Sequence, residues 1–238
     1  MEKITLTPVF VKTKNVRNFQ VMMDALDLND EGCFGMVFGQ AGRGKSRTCQ
    51  WYAAHNDCVY LEIMTVWKTS DLDFLKAFCR AAGIVSPPKR KGAAFSAIVD
   101  KLIKDPKPVF IDEVEKMKAG FIDILKDFVG VTGQKFILLG EEELVAYMQR
   151  DRRIWSRTFQ QLEYQPIEIA DILLYAKEAT GLKLSIDVAS LVHQACNGDW
   201  RLAKRALLGF VHYANTNETI TITVKVAKMI IKESLIGK

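Results

Sequence analysis

The chain has 238 residues, 49% hydrophobic and 26% charged, with 33 Lys and Arg against 28 Asp and Glu for a formal net charge of +5. That composition excludes a disordered chain, and the length fits one large domain or a core with a smaller partner. A charge this mild permits a nucleic-acid partner without requiring one.

Val16, Phe19, Met22, Met23 and Leu26 recur at helical spacing and predict a helix over 13–28, and turn residues follow at 29–32. The apolar run 34–38 predicts a buried strand. It leads into Gly39, Gln40, Ala41, Gly42, Arg43, Gly44, Lys45 and Ser46, a fit to G-x-x-x-x-G-K-[ST], and a helical pattern runs from 45 to about 55, taking in Arg47. Strand, loop and helix are the context this motif needs. The glycines let backbone N–H groups turn inward around phosphates, and the helix N-terminus adds partial positive charge. Residues 39–47 are therefore the expected ATP-binding segment, with Lys45 reaching the β- and γ-phosphates and Ser46 holding Mg²⁺.

Residues 58–65 (CVYLEIMT) predict a second strand. Ser70 or Asp71 caps a helix to about 82, with Leu72, Leu75, Phe78 and Cys79 on one face, and Gly83 ends it. Residues 86–92 (SPPKRKG) hold two prolines, which predict a loop carrying three adjacent cations, Lys89, Arg90 and Lys91. A helix fits 93–104. Residues 108–113 (PVFIDE) form an apolar strand ending in Asp-Glu, about 66 residues after the phosphate loop. At such a strand end Asp112 can bind Mg²⁺ through water, and Glu113 can polarise the water that attacks the γ-phosphate.

A helix over 119–129, a strand over 135–140 and a short helix over 141–149 come next. Arg150, Arg152, Arg153 and Arg157 then crowd eight residues, and 158–164 predicts a fifth strand. The alternation implies an α/β fold, a five-stranded parallel sheet with helices on both faces and ligand at the carboxyl ends of its strands. After Pro166 the pattern becomes helical throughout, over 168–179, 185–196, 199–214 and 224–235. The expected division is an α/β nucleotide-binding core over 1–165, including the helix at 13–28, and a small all-helical lid over 166–238.

No apolar run reaches membrane-spanning length, and the opening MEKITLTP lacks a signal-peptide pattern, so a cytoplasmic chain with no membrane partner is expected. The five cysteines are scattered, odd in number and without a C-x-x-C pair, which points to reduced thiols filling core. His55, His193 and His212 show no metal or triad spacing, and the four tryptophans read as packing residues.

Two further positions resemble marks of the AAA+ ATPases. Ser156 and Arg157 precede the fifth strand, where that family carries an arginine finger. Gly198, Asp199, Trp200 and Arg201 open a lid helix and resemble its sensor 2. Within AAA+ proteins the chain resembles the Mu B-like transposition family, which activates target DNA for a transposase. The residues that carry this are 10–16, the basic 88–92 loop, 109–113, Leu139 with Gly140, and Ser156 with Arg157. The resemblance runs from about 9 to about 235, without the helix-turn-helix domain that precedes the ATPase core in the Mu protein.

The resemblance implies a Mg²⁺-dependent ATPase stimulated by DNA and by assembly, with Glu113, Lys45, Arg157 and Arg201 as catalytic residues. Arg157 would come from a neighbouring subunit, with Arg150, Arg152 and Arg153 as competing candidates. It also implies self-assembly into helical filaments on double-stranded DNA of any sequence, and a transposase partner. Lys89, Arg90 and Lys91, then Lys68, are the expected DNA contacts. Glu141 departs from the family, which places a neutral polar residue there as sensor 1. A carboxylate facing the γ-phosphate is repelled unless protonated, paired or turned away. The other readings are a helicase loader or insertion-sequence helper of the same broad class, and a DNA scaffold that hydrolyses ATP weakly.

Overall fold

The computed structural model describes residues 3–117 and 120–236, without the side chains of residues 68, 69 and 236. The helices are α1 (Lys14–Asp27), α2 (Lys45–Ala53), α3 (Asp71–Ala81), α4 (Lys91–Lys104), α5 (Phe121–Thr132), α6 (Glu143–Gln149), α7 (Arg152–Trp155), α8 (Ile169–Thr180), α9 (Ile186–Cys196), α10 (Trp200–Thr216) and α11 (Val224–Ile231). The strands are β1 (Phe34–Phe38), β2 (Val59–Glu62), β3 (Val109–Asp112), β4 (Phe136–Leu139) and β5 (Thr158–Glu163).

All five strands run parallel in the order β2-β3-β4-β1-β5. Val37 is level with Leu139, and Ile111 with Leu138, so Phe38, Gly140 and Asp112 end at one edge. β3 and β4 are buried at every position, as a parallel sheet covered on both faces demands. Phe34, Met36, Ile111 and Phe136 pack with Phe74 and Phe78 of α3, Ile98 of α4 and Phe128 of α5. Val37, Phe110, Ile137 and Leu139 pack with Phe19, Met22, Met23 and Leu26 of α1 and Cys49 of α2. Gly35 permits the α1 contact: a Cβ there would lie 2.7 Å from Met22 Cε.

The chain forms two compact units. One comprises residues 18–40 and 45–164; the other comprises residues 1–17, 41–44 and 165–238. The second has its own core, in which Ile172 and Tyr175 of α8, Val188 and Val192 of α9, Leu207 and Phe210 of α10 and Ile230 of α11 meet. Its N-terminal segment is tied down by backbone: Thr7 N–H donates to Ala179 O, and Ile4 exchanges two bonds with the Asn215 amide.

Several element bounds differ from expectation. β2 stops at Glu62 rather than 65, because its partner β3 ends opposite it at Asp112, and a 3₁₀ turn over Thr65–Thr69 follows. The 93–104 helix starts earlier, at Lys91, with Arg90 as its N-cap residue, so Lys91 belongs to its first turn. The helix expected at 119–129 is α5, ending at Thr132; its expected first residue, Ala119, lies outside the described residues. α6 begins at Glu143 rather than 141, after a turn in which Leu144 N–H bonds Glu141 O.

Candidate nucleotide site

The loop after β1 turns at three glycines with positive φ: Gly39 (131°), Gly42 (79°) and Gly44 (94°). Gly39 also has no room for a side chain, since a Cβ would lie 2.9 Å from Tyr164 O. Gln40 and Ala41 are exposed, Arg43 is buried, Ser46 is half-buried and Arg47 is exposed. Lys45 opens α2, and its ammonium folds back onto the loop, donating to Gly39 O at 2.5 Å and Gln40 O at 2.9 Å. The residue is only 9% exposed. Burial lowers its pKa, and the charges of Glu115, Glu141, Asp112 and Glu113 oppose that shift.

Asp112 ends β3 at 3% exposure with both carboxylate oxygens engaged. Oδ1 accepts from Glu113 N–H at 2.9 Å and Oδ2 from the Tyr60 hydroxyl of β2 at 2.5 Å. Burial, with the Asp112 carboxylate beside it, pushes the Tyr60 hydroxyl well above its ordinary range, so it stays a donor. Glu113 has left-handed backbone (φ 60°, ψ 44°), a sparsely populated conformation for a non-glycine residue, and its carboxylate pairs with Lys116 at 3.2 Å.

Motif reading missed Glu115. Its Oε2 lies where a side chain at residue 140 would begin, 2.9 Å from the Cβ position of Gly140. Loss of water there, with Glu113 and Glu141 nearby, raises its pKa. The last carboxylate of D-E-x-E and the glycine ending β4 were the available signals. Glu141 is not remote: its charge acts on both Lys45 and Glu115.

Arg157 lies at the other end of the sheet from the loop. Its carbonyl accepts from Phe34 N–H, at the start of β1, and its guanidinium rests against Gly130 of α5. β1's five residues separate that point from Gly39, roughly 16 Å at 3.3 Å per residue. Arg153 pairs with Asp151 at 2.9 Å and holds that carboxyl down at about 2. Arg150 lines a cavity of about 210 Å³ with Glu115, Glu143 and Tyr147. Arg152 is exposed and forms no ion pair among the described residues.

In the other unit, the start of α10 meets residues 41–44. Asp199 caps the helix by accepting from Arg201 N–H at 2.6 Å, and its carboxylate lies against Gly42. Trp200 N–H donates to Gly42 O at 3.0 Å, and its ring lies 3.4 Å from the Cβ position of Gly44. The Arg201 side chain is exposed.

Lys89, Arg90 and Lys91 are all exposed, but Lys91 donates to the Asp71 carboxylate at the start of α3. Lys89 and Arg90 form no ion pair among the described residues. Lys68 falls in the 3₁₀ turn after β2, and its side chain lies outside the described residues.

A glycine loop at the carboxyl edge of a parallel sheet, a buried lysine beside it and an Asp-Glu pair on the strand two places away define a nucleotide-binding AAA architecture. The AAA domain model matches residues 29–148, and the chain belongs to that family. Among curated proteins it is 23% identical over 183 residues to the Mu-like prophage FluMu DNA transposition protein B of Haemophilus influenzae, covering 74% of this chain and 63% of that one. It is 25% identical over 146 residues to the ATP-dependent target DNA activator B of Escherichia phage Mu, covering 61% and 46%. The matches thus span about half to two thirds of those relatives. Among solved structures, Cdc6p of Pyrobaculum aerophilum matches with a TM-score of 0.70 at 15% identity, covering 97% of this chain and 69% of that chain.

The residues fit ATP and Mg²⁺. Three positive-φ glycines put no side chain between the backbone and a phosphate, and Lys45 supplies a buried cation. The Ser46 hydroxyl and Asp112 carboxylate are hard oxygen donors, the type Mg²⁺ selects.

Proposed function

We propose that the chain is an ATPase that binds duplex DNA without sequence preference, assembles on it into filaments and stimulates a transposase. The observation that carries the reading is the buried Lys45, held by Gly39 and Gln40 carbonyls among Asp112, Glu113, Glu115 and Glu141, in a chain related to target DNA activators.

Residues 39–47 hold the phosphates, with Lys45 exchanging its carbonyl contacts for phosphate oxygens. Mg²⁺, held by Ser46 and Asp112, neutralises phosphate charge when bound. Glu113 accepts the proton of the attacking water once it leaves Lys116. Arg157, at the far end of the sheet from its own loop, serves a neighbouring subunit, so turnover depends on assembly. Such fingers are worth roughly 10³–10⁵ in rate. Arg201 serves the nucleotide from the start of α10. Lys89 and Arg90 meet DNA phosphates, with Lys91 and Lys68 in support.

The test is electron microscopy of the protein on long duplex DNA with ATP and Mg²⁺, and without nucleotide. Nucleotide-dependent filaments on arbitrary sequence are expected. Closed rings or monomers with bare DNA at low salt would replace this reading with the helicase-loader one. The carboxylates around a single lysine favour slow hydrolysis. Turnover at or below about 10⁻³ s⁻¹ with DNA present, the scale of an unassisted GTPase, would make the protein a nucleotide-dependent scaffold.

A further inference from the structure

We infer that Tyr60 is a positioning residue for the metal-binding carboxylate. The inference rests on the reading of Asp112 as the Mg²⁺ residue, and it assigns a role to a side chain outside every motif of the site.

Asp112 sits at the end of a strand buried along its whole length, where an ionised carboxylate is stable only if its oxygens are bonded. Glu113 N–H satisfies Oδ1 and fixes one edge of the group. Without a second bond the carboxylate could still turn about its last torsion, which is broad for aspartate. The Tyr60 hydroxyl supplies that bond at Oδ2. Tyr60 can do so because β2 is in parallel register with β3: Tyr60 is level with Phe110 and so reaches forward to Asp112 on the same face. Its ring packs, partly buried, against the core that holds Cys49 and Phe110, which limits the freedom of the hydroxyl. Gln50 Nε2 of α2 stands 3.5 Å from that hydroxyl, linking it to the helix that Lys45 opens. The carboxylate is thus held at both oxygens before any metal arrives. Each oxygen keeps a lone pair, so a metal-bound water can still donate to Asp112. Pre-orientation of this kind is what outer ligands give a metal site, and its loss commonly costs about 10–100-fold in metal affinity or activity.

The test measures ATP affinity by calorimetry, in EDTA and across a Mg²⁺ titration, for the wild type, Tyr60→Phe, Asp112→Asn and the double variant. Tyr60→Phe removes one oxygen and keeps the ring. Affinity in EDTA should stay within about twofold of wild type, which also shows that the fold is kept. The Mg²⁺ concentration giving half the metal-dependent gain should rise about tenfold. In the Asp112→Asn background the same change should have no further effect, because the group it positions is gone. A Tyr60→Phe protein with the wild-type Mg²⁺ requirement, or an equal loss with Asn at 112, overturns the inference. A wild type whose ATP affinity ignores Mg²⁺ fails the metal reading of Asp112 instead.

Discussion

Glu115 is the residue whose cost can be measured without knowing what the protein does. Its carboxyl lies against Gly140 near Glu113 and Glu141, and its native pKa stands above the usual carboxylate value. The native state therefore holds this proton more tightly than the unfolded chain. Across the window between the two pKa values stability falls as pH rises, and at neutral pH the full cost is present. Glu115→Gln should raise the stability at pH 7 by on the order of 0.5 kcal/mol, small because much of the side chain stays in water. At pH 3.5 the gain should vanish, since Glu115 is then protonated in both states. Urea midpoints at the two pH values decide it. No gain at pH 7, or a gain that persists at 3.5, would mean that the carboxyl is not destabilised by its neighbours.

At the scale of elements, residues 41–44 and the start of α10 make one joint inside their unit. A Cβ on Gly42 would meet the Asp199 carboxylate at 2.2–2.4 Å, and its φ of 79° already disfavours any side chain. Gly83 provides the control: its φ is 82°, and nothing lies within 4 Å of its Cβ position. Gly83→Ala should cost about 1–2 kcal/mol from backbone alone. Gly42→Ala should cost more and should also weaken ATP binding, because Asp199 and Trp200 must shift with the loop. Equal thermal destabilisation of the two variants would show that the joint yields freely. This contact also marks what could be read in the chain beforehand. Gly39, Gly44, Lys45 and Ser46 announce the loop because their spacing is local, and β3 and β4 announce themselves by unbroken apolar runs. Ser70, Ser185 and Thr223 are caps as their residue types predict. Asp199 against Gly42, Tyr60 against Asp112 and Glu115 over Gly140 were not legible. Each depends on strand register or on chain crossings over a long separation, which no periodicity encodes. Lys91 is a similar case: the run of three cations is plain in the sequence, but its partner Asp71 lies twenty residues away.

Across the whole molecule the formal charge is unevenly shared. The unit of residues 1–17, 41–44 and 165–238 has fourteen Lys and Arg against eight Asp and Glu, and the other has nineteen against twenty. The unit that carries Lys89 and Arg90 is thus close to neutral, so a DNA contact there must be local rather than a general basic surface. That makes a sharp expectation for salt dependence. Each DNA phosphate neutralised contributes about 0.9 to the slope of log affinity against log salt. Converting both Lys89 and Arg90 to Glu should lower the slope by roughly two and cut duplex affinity by at least about tenfold at moderate salt, with ATP affinity unchanged. Lys91→Ala should do less, because its ammonium is already paired with Asp71. The measurement is fluorescence anisotropy with a labelled duplex of arbitrary sequence, across a salt series with ATP present. If the double reversal leaves slope and affinity at wild-type values, the 88–92 loop is not the DNA contact. The net positive charge of the other unit, with Lys225 and Lys228 exposed on α11, would then be the next surface to reverse in the same assay.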